Sequence, residues 1–352
     1  MKDSSKTYNF EWITDWDTIY SQEFQEQWLK WHETAVNSHV FFHPGLCMAW
    51  LETYRPLRNL KPLFCIAKYG HTSVFLPLVL WKKNWKNAFQ KMVIPVGYSD
   101  FDYHDPLIVT KNNKTISYVL FLENLLDELK SKIPFDKIDI NGLKKGDSNL
   151  VFEEKDIAPY ADISLFSDNE QYLNTLKTKL RGDLRRQIRR LSEQGTLSMV
   201  SGTASNIVDV DLSEFLKQHS KRWPNAYKAP RFHENIFKFG LNKGVVHFSE
   251  LKVNDEIISW HLGFMDDTTF YYYMPATNGR WQKYSPGKVH LLMLVNNAID
   301  LKLQVFDHLR GNENYKNGWA QNLQKLYELE YHSKGLSSKI KKQLIGLKNK
   351  FL

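Results

Sequence analysis

The chain has 352 residues, a formal net charge of +8 and 42% hydrophobic residues, including eleven Trp, seventeen Tyr and twenty-one Phe. Such length and composition exclude a disordered or fibrous chain and allow one large or two medium domains with a substantial core. No apolar run reaches eighteen residues, so no membrane-spanning helix is expected, and the opening "MKDSSKTYNFEWITDWD" has no apolar targeting core. Cys47 and Cys65 stand far apart without CxxC spacing. They suit a reduced, cytoplasmic chain and cannot build a zinc site by themselves.

Charge is distributed unevenly. Lys177 to Glu193 holds seven basic and two acidic residues, and the tail from Tyr331 holds six lysines and no acid. These surpluses exceed the total of +8, so the rest of the chain is mildly acidic. Two local basic segments, in place of a basic surface, weaken a nucleic-acid reading.

In chain order, "YSQEFQEQWLKWHETA" sets Phe24, Trp28 and Trp31 at helical spacings, and Pro44 and Gly45 open a second helix. Strands are predicted over Leu63–Lys68 and Ser73–Trp81, joined at Gly70, then in "KMVIPV" before a loop ending at Pro106. A helix in "TISYVLFLENLLDELK" and a strand in "FDKIDING" complete a mixed α/β domain, assigned to residues 1–160. Residues 151–170 read as a polar, irregular boundary.

Leu173, Leu176, Leu180, Leu184, Ile188 and Leu191 then recur every three or four residues, as on one stripe of a long helix with arginines on its other faces. A meander is predicted from Val245–Val253, Glu256–Met265 and Thr268–Met274, turning at Asn254-Asp255 and Asp266-Asp267. "SPGKVHLLML" starts a helix, and Leu303–Asp307 is a short strand delivering Asp307 and His308 into "LRGNENYKNGW". The second domain is assigned to residues 161–330, followed by a basic extension over 331–352.

Several chemistries find no motif. There is no GxSxG, no P-loop, no GxGxxG after a strand and no HExxH, and His261, His290 and His308 follow no familiar metal-ligand spacing. The helix opened by Ser285, Pro286 and Gly287 is more suggestive. Ser285 can cap it and Pro286 suits its first turn; its unpaired N–H groups and dipole can hold a phosphate, with Lys288 adding charge. An ordinary capped helix would read the same way. The arginine-rich helix keeps three readings: contact with RNA phosphates, contact with phosphates of a smaller donor or acceptor, or a solvated face.

From about residue 165 to 320 the chain resembles the acetyltransferase-like family first associated with bacterial cellulose biosynthesis operons, a branch of the GNAT superfamily. The resemblance rests on "LRGDLRRQIRRLSEQG", "SPGKVHLL" and "FDHLRGNENYKNGW", in that order, with Asp307, Gly311, Tyr315 and Lys316 matching the last motif. "FHPGLCMAWLE" and "YHDPLI" resemble the family's less diagnostic N-terminal half. It implies tandem GNAT-like α/β domains with mixed, mainly antiparallel sheets, as in the related aminoacyl transferases of peptidoglycan bridge synthesis.

The implied reaction moves an acyl group from acetyl-CoA or another acyl-CoA to a small-molecule amine, such as a nucleotide-linked amino sugar of an envelope polysaccharide pathway. The donor's pyrophosphate would sit at Ser285, Pro286, Gly287 and Lys288. Asp307 or His261 would act as base, and Tyr315 would protonate the thiolate. Lys316, Arg186 and Arg190 would bind substrate phosphate or carboxylate. Two other classes remain open: an aminoacyl-tRNA-dependent transferase, and a catalytically inactive binding protein of a polysaccharide pathway.

Overall fold

The computed structural model describes residues 7–98, 100–110, 118–145, 152–202, 212–224 and 229–350. The chain forms two units, Met1–Asp156 with Lys325–Leu352, and Ile157–Gln324.

In the first unit, β1 (Asn9–Ile13) leads into α1 (Trp16–Tyr20) and α2 (Gln22–Thr34), which Asp15 and Ser21 cap by accepting from the N–H groups of Thr18 and Phe24. The first turn of α3 (Pro44–Tyr54) contains proline, and the His43 imidazole accepts there from Gly45 N–H at 3.0 Å. β2 (Asn59–Tyr69) and β3 (Thr72–Lys82) pair antiparallel about Gly70, whose φ of 57° suits glycine. β4 (Lys91–Pro95), β5 (Leu107–Thr110), α4 (Tyr118–Lys132) and β6 (Lys137–Leu143) follow. Phe121, Leu122, Leu125, Leu126 and Leu129 bury one face of α4. β6 lies parallel to β4, while β1, β2, β3 and β4 are antiparallel in sequence order.

β7 (Phe152–Asp162) occupies the stretch that reads as irregular. The charged run "EEKD" in its first half hides a strand period. The single long helix is in fact two, α5 (Asn169–Thr175) and α6 (Thr178–Ser192), because the chain is extended at Leu176 and Lys177 with ψ of 148° and 138°. Arg181 takes up the Asn174 carbonyl at 3.0 Å, and Tyr172 donates to the Trp319 carbonyl at 3.0 Å, so the end of α5 is held without continuing the helix. The leucine stripe survives the break: Leu173, Leu176 and Leu184 share one core with Phe270, Leu291 and Phe306.

Next come β8 (Leu197–Gly202), α7 (Leu212–Arg222) and α8 (Phe232–Gly240). The expected meander follows as β9 (Val246–Val253), β10 (Glu256–Met265) and β11 (Thr269–Thr277), then α9 (Pro286–Asp300) and β12 (Val305–Asp307). The sheet order is β7-β12-β11-β10-β9-β8, antiparallel except for β11 with β12.

β13 (Asn322–His332) then carries the chain back into the first unit, pairing antiparallel with β6 from Tyr327↔Leu143 to His332↔Lys137, and α10 (Leu336–Lys350) follows. The residues after 330 are therefore part of the first unit and not a separate extension. Each unit repeats one plan: three antiparallel strands, a helix, and a strand parallel to the third. The architecture is mixed α/β, with tandem GNAT-like units and mainly antiparallel sheets. Among the described residues no helix is long and apolar enough to cross a membrane.

Candidate active site

β11 and β12 run parallel for three residue pairs, from Thr269↔Val305 to Tyr271↔Asp307. They then part. β11 continues against β10 as far as Thr277, whereas His308 and Gly311 turn toward β7 and donate their N–H groups to the carbonyls of Pro159 and Ile157, both at 2.9 Å. From Tyr272 onward the outer edge of β11 has no strand partner among the described residues.

The chain leaves β11 through a 3-10 turn at Gly279–Tyr284 and enters α9 at Ser285, whose φ of 51° and ψ of 50° are left-handed. In this conformation the Ser285 hydroxyl makes no capping bond, contrary to expectation; its carbonyl accepts from Lys288 N–H at 3.0 Å. Pro286 takes the first turn as expected. A Cβ added to Gly287 would lie 3.1 Å from Thr277 Cγ2, so the start of α9 lies close against the end of β11.

Three cations gather at this helix start. Lys288 Nζ is 2.8 Å from Asp183 Oδ2, and Arg186 pairs with the same carboxylate. Arg190 donates to the Lys283 carbonyl at 3.2 Å and lies 5.0 Å from the Tyr284 ring centre. Lys288 is the main cause holding the Asp183 carboxyl below its usual range. One carboxylate against three cations leaves a surplus of positive charge where the helix dipole is also positive. The Lys288 and Arg186 side chains are about half exposed, so an incoming anion can compete for them at small cost.

The loop beyond β12 is held from within. Buried Asp307 accepts from Leu309 N–H at 2.8 Å. Leu309 has φ of 61°, a conformation costing a leucine about 1–2 kcal/mol. Lys316 was expected to meet a ligand, but its ammonium is buried: it donates to the carbonyls of Leu309 at 3.1 Å and Arg310 at 2.8 Å and pairs with Glu313 at 2.9 Å. Those partners sit three to seven residues upstream, a closure that spacing alone does not announce. Gly311 has φ of 125°, where a side chain would be strained and would also press on Glu313.

His261 is buried on β10, its ring stacked at 4.4 Å on Tyr272, and neither ring nitrogen has a hydrogen-bond partner. Burial, reinforced by His290 and His247, holds its pKa well below the ordinary value. His308 is the first residue past the last β11–β12 pair and is buried in the same state; burial and then Lys316 lower its pKa to about 3. Its ring centre is 6.1 Å from that of Tyr272. Tyr272 is in turn close enough to Tyr315 that, after burial, the Tyr315 charge raises its pKa. Tyr315 is itself 41% exposed, with its hydroxyl pKa raised by desolvation and then by Glu313.

His290, on α9, has a defined tautomer. Its Nδ1 is 3.0 Å from Ser259 Oγ and its Nε2 is 2.9 Å from Ser249 Oγ. Ser259 donates to the Ala276 carbonyl at 2.9 Å, so it accepts from His290 Nδ1–H, and Nε2 accepts from Ser249.

Ser285 to Lys288, Arg186 and Arg190 thus meet at the start of α9. His261, His308 and Tyr315 meet around Tyr272, and Asp307 and Lys316 fix the loop between. Sequence reasoning passed over Tyr272 and Asp183. Tyr272 is hidden as the middle of "YYY", whereas Asp183 was visible as the lone acid in "KLRGDLRRQIRR". Among the described residues Asp139, Glu328 and Glu330 form the one carboxylate cluster compact enough for a metal, but Lys137 already pairs with Asp139 at 2.7 Å and Glu330 at 2.9 Å.

Residues 178–317, from α6 through the loop beyond β12, match the family model described as an acetyltransferase (GNAT) domain. Residues 178–317 thus carry a GNAT-type acyltransferase domain. Solved structures agree on the fold. FemX is 11% identical over 96% of this chain and 100% of its own, with a TM-score of 0.63. A conserved protein of unknown function from Bacteroides thetaiotaomicron is 12% identical over 92% of this chain and 99% of its own, with a TM-score of 0.53. The C-terminal domain of a putative lysylphosphatidylglycerol synthetase from Agrobacterium fabrum is 9% identical over 90% of this chain and 95% of its own, also at 0.53. At such identities these likenesses bear on fold alone. No curated protein matches the sequence significantly.

Proposed function

We propose that this acyltransferase moves an acyl group from acyl-coenzyme A, with acetyl-CoA the simplest donor, to the amine of a small molecule. The parting of β11 and β12 beside the start of α9 carries this reading. An extended thioester arm fits the open edge of β11 from Tyr272 to Thr277 as a strand-like guest, which lets its pyrophosphate reach Ser285, Pro286, Gly287 and Lys288. The residues suit that group. Gly287 keeps the approach free of a side chain, and Lys288, Arg186 and Arg190 supply charge once Asp183 gives up its partners.

Acyl transfer requires a base for the attacking amine and a proton for the departing thiolate. We assign the base to His261 or His308, whose neutral imidazoles have free nitrogens. Tyr315 supplies the proton, its raised pKa keeping the hydroxyl protonated. Asp307 and Lys316 act as positioning residues through Leu309. The acceptor class rests on the sequence resemblance: an amino sugar, nucleotide-linked in the form that best uses the arginines, in an envelope polysaccharide pathway. An aminoacyl-tRNA donor is the second reading, favoured by the exposed Arg185, Arg186 and Arg189 of α6.

Thermal shift with coenzyme A, acetyl-CoA and tRNA separates these readings, because a ligand of the folded state raises Tm. Coenzyme A should raise Tm in the wild type and less in Lys288→Ala. A shift with tRNA alone would select the second reading, and no shift with any of them would leave a binding protein. Free-thiol release with amino sugars, nucleotide-linked amino sugars and lysine peptides then tests the acceptor; turnover confined to peptides would rule out the sugar.

A further inference from the structure

The first unit exposes two apolar, lysine-rich elements that share one buried carboxylate. In the loop between β3 and β4, Trp85 is 71% exposed and Phe89 is 54% exposed. Exposed Lys82 and Lys86 lie beside these rings, each 5.9 Å from a ring centre, and no acidic residue occurs between Glu52 and Asp100. Ala88 and Phe89 both have φ of 51°, so the backbone accepts left-handed conformations in a loop that leaves Phe89 in solvent.

The second element is α10. Leu336, Ile340 and Leu344 recur every four residues and are 76%, 48% and 53% exposed, forming an apolar stripe along its outside. Exposed Lys339 borders the stripe. Ser338 and Lys341 lie on the other side, where both bind Asp136, Lys341 at 2.8 Å. The same carboxylate accepts from the N–H of Lys91, the first residue of β4 and two residues past Phe89, at 2.8 Å. One buried group therefore ties α10 to the strand that follows the Trp85–Phe89 loop.

We propose that this end of the first unit docks on an anionic lipid bilayer. A tryptophan, a phenylalanine and an aliphatic stripe, set among lysines, match the chemistry of a headgroup boundary over an apolar interior. The charge agrees: from Tyr331 onward there are six lysines and no acid. Asp136, the carboxylate between the elements, is turned inward and neutralised by Lys341. This inference is independent of the acyl donor.

Flotation of the full chain with phosphatidylcholine–phosphatidylglycerol vesicles tests it against phosphatidylcholine vesicles alone. Binding is expected to the anionic vesicles, to weaken with added salt, and to be weak on neutral lipid. Trp85→Ala with Phe89→Ala, and separately Leu336→Ser with Ile340→Ser, should each weaken it about tenfold or more, on the scale of buried side-chain transfer. Lys86→Glu with Lys339→Glu leaves the rings and the apolar stripe in place and should weaken binding at least about tenfold, which keeps the test valid if an apolar variant misfolds. Absence of binding to anionic vesicles, or equal binding by all folded variants, overturns the proposal. So does binding to an acidic polypeptide without binding to vesicles.

Discussion

Asp307 and Lys316 hold the same residue from opposite sides: Asp307 accepts the N–H of Leu309 at 2.8 Å, and Lys316 donates to its carbonyl at 3.1 Å. Between them they maintain a leucine at φ of 61°. Asp307→Asn keeps an acceptor oxygen, so it should fold normally and retain turnover within about tenfold, as fits a positioning residue. A loss of about 10²-fold or more in the folded variant would show that the negative charge takes part in chemistry. Lys316→Met leaves buried carbonyls unsatisfied and should cost about 1–3 kcal/mol in urea unfolding.

Asp183 competes with any anion for Lys288 and Arg186. Asp183→Asn should therefore tighten coenzyme A binding, by about two- to fivefold given the worth of exposed ion pairs. Arg186→Glu with Arg190→Glu should raise the KM for a phosphate-bearing substrate with little change in Tm. Calorimetric titration and steady-state kinetics read both effects. A large drop in Tm with unchanged kinetics would mean that these arginines serve the fold.

Tyr315→Phe removes one hydroxyl from a partly exposed ring, so its fold should be kept while kcat falls about 10²-fold or more with donor Kd unchanged. His261→Ala and His308→Ala compared side by side identify the base. The variant that loses kcat without losing donor affinity marks it, and wild-type turnover in both would remove the imidazoles from the mechanism.

Stability should depend on pH through the buried histidines of the second unit. His290 and His308 have pKa values lowered to about 3, and His247 to about 4, from an ordinary 6.5, in each case chiefly by burial. Below pH 6.5 the unfolded chain takes up protons that the folded chain refuses. Stability is therefore full above that pH and declines as pH falls toward 4, with a slope of about 1.4 kcal/mol per unit for each such histidine. Urea midpoints at several pH values measure this, and His308→Asn should flatten the slope. A midpoint unchanged across the window would contradict the burial of these rings.

The meander was legible to within one residue wherever its strands meet the turn residues Asn254-Asp255 and Asp266-Asp267, at which the apolar runs stop, whereas its last strand runs three residues past the expected Met274, to Thr277. The break between α5 and α6 was not, since Leu173, Leu176, Leu180 and Leu184 keep their spacing through it. β7 was hidden by its charged first half. At the site, proline and glycine announced the start of α9, but the left-handed Ser285 did not show itself, because serine is also an ordinary cap. The roles of Lys316 and Asp183 depend on which groups the fold carries to them, and residue type alone does not encode that.

The return of the chain through β13 imposes an order on assembly during synthesis. Residues 157–324 are all made before Lys325, so the second unit can close while the first still lacks a strand. Until β13 emerges, β6 has β4 on one side and an open ladder on the other, a template for pairing with another chain. The first unit is thus begun earliest and finished last. Interruptions in translation beyond about residue 324 should yield a chain with an intact acyltransferase unit that is nonetheless prone to aggregate.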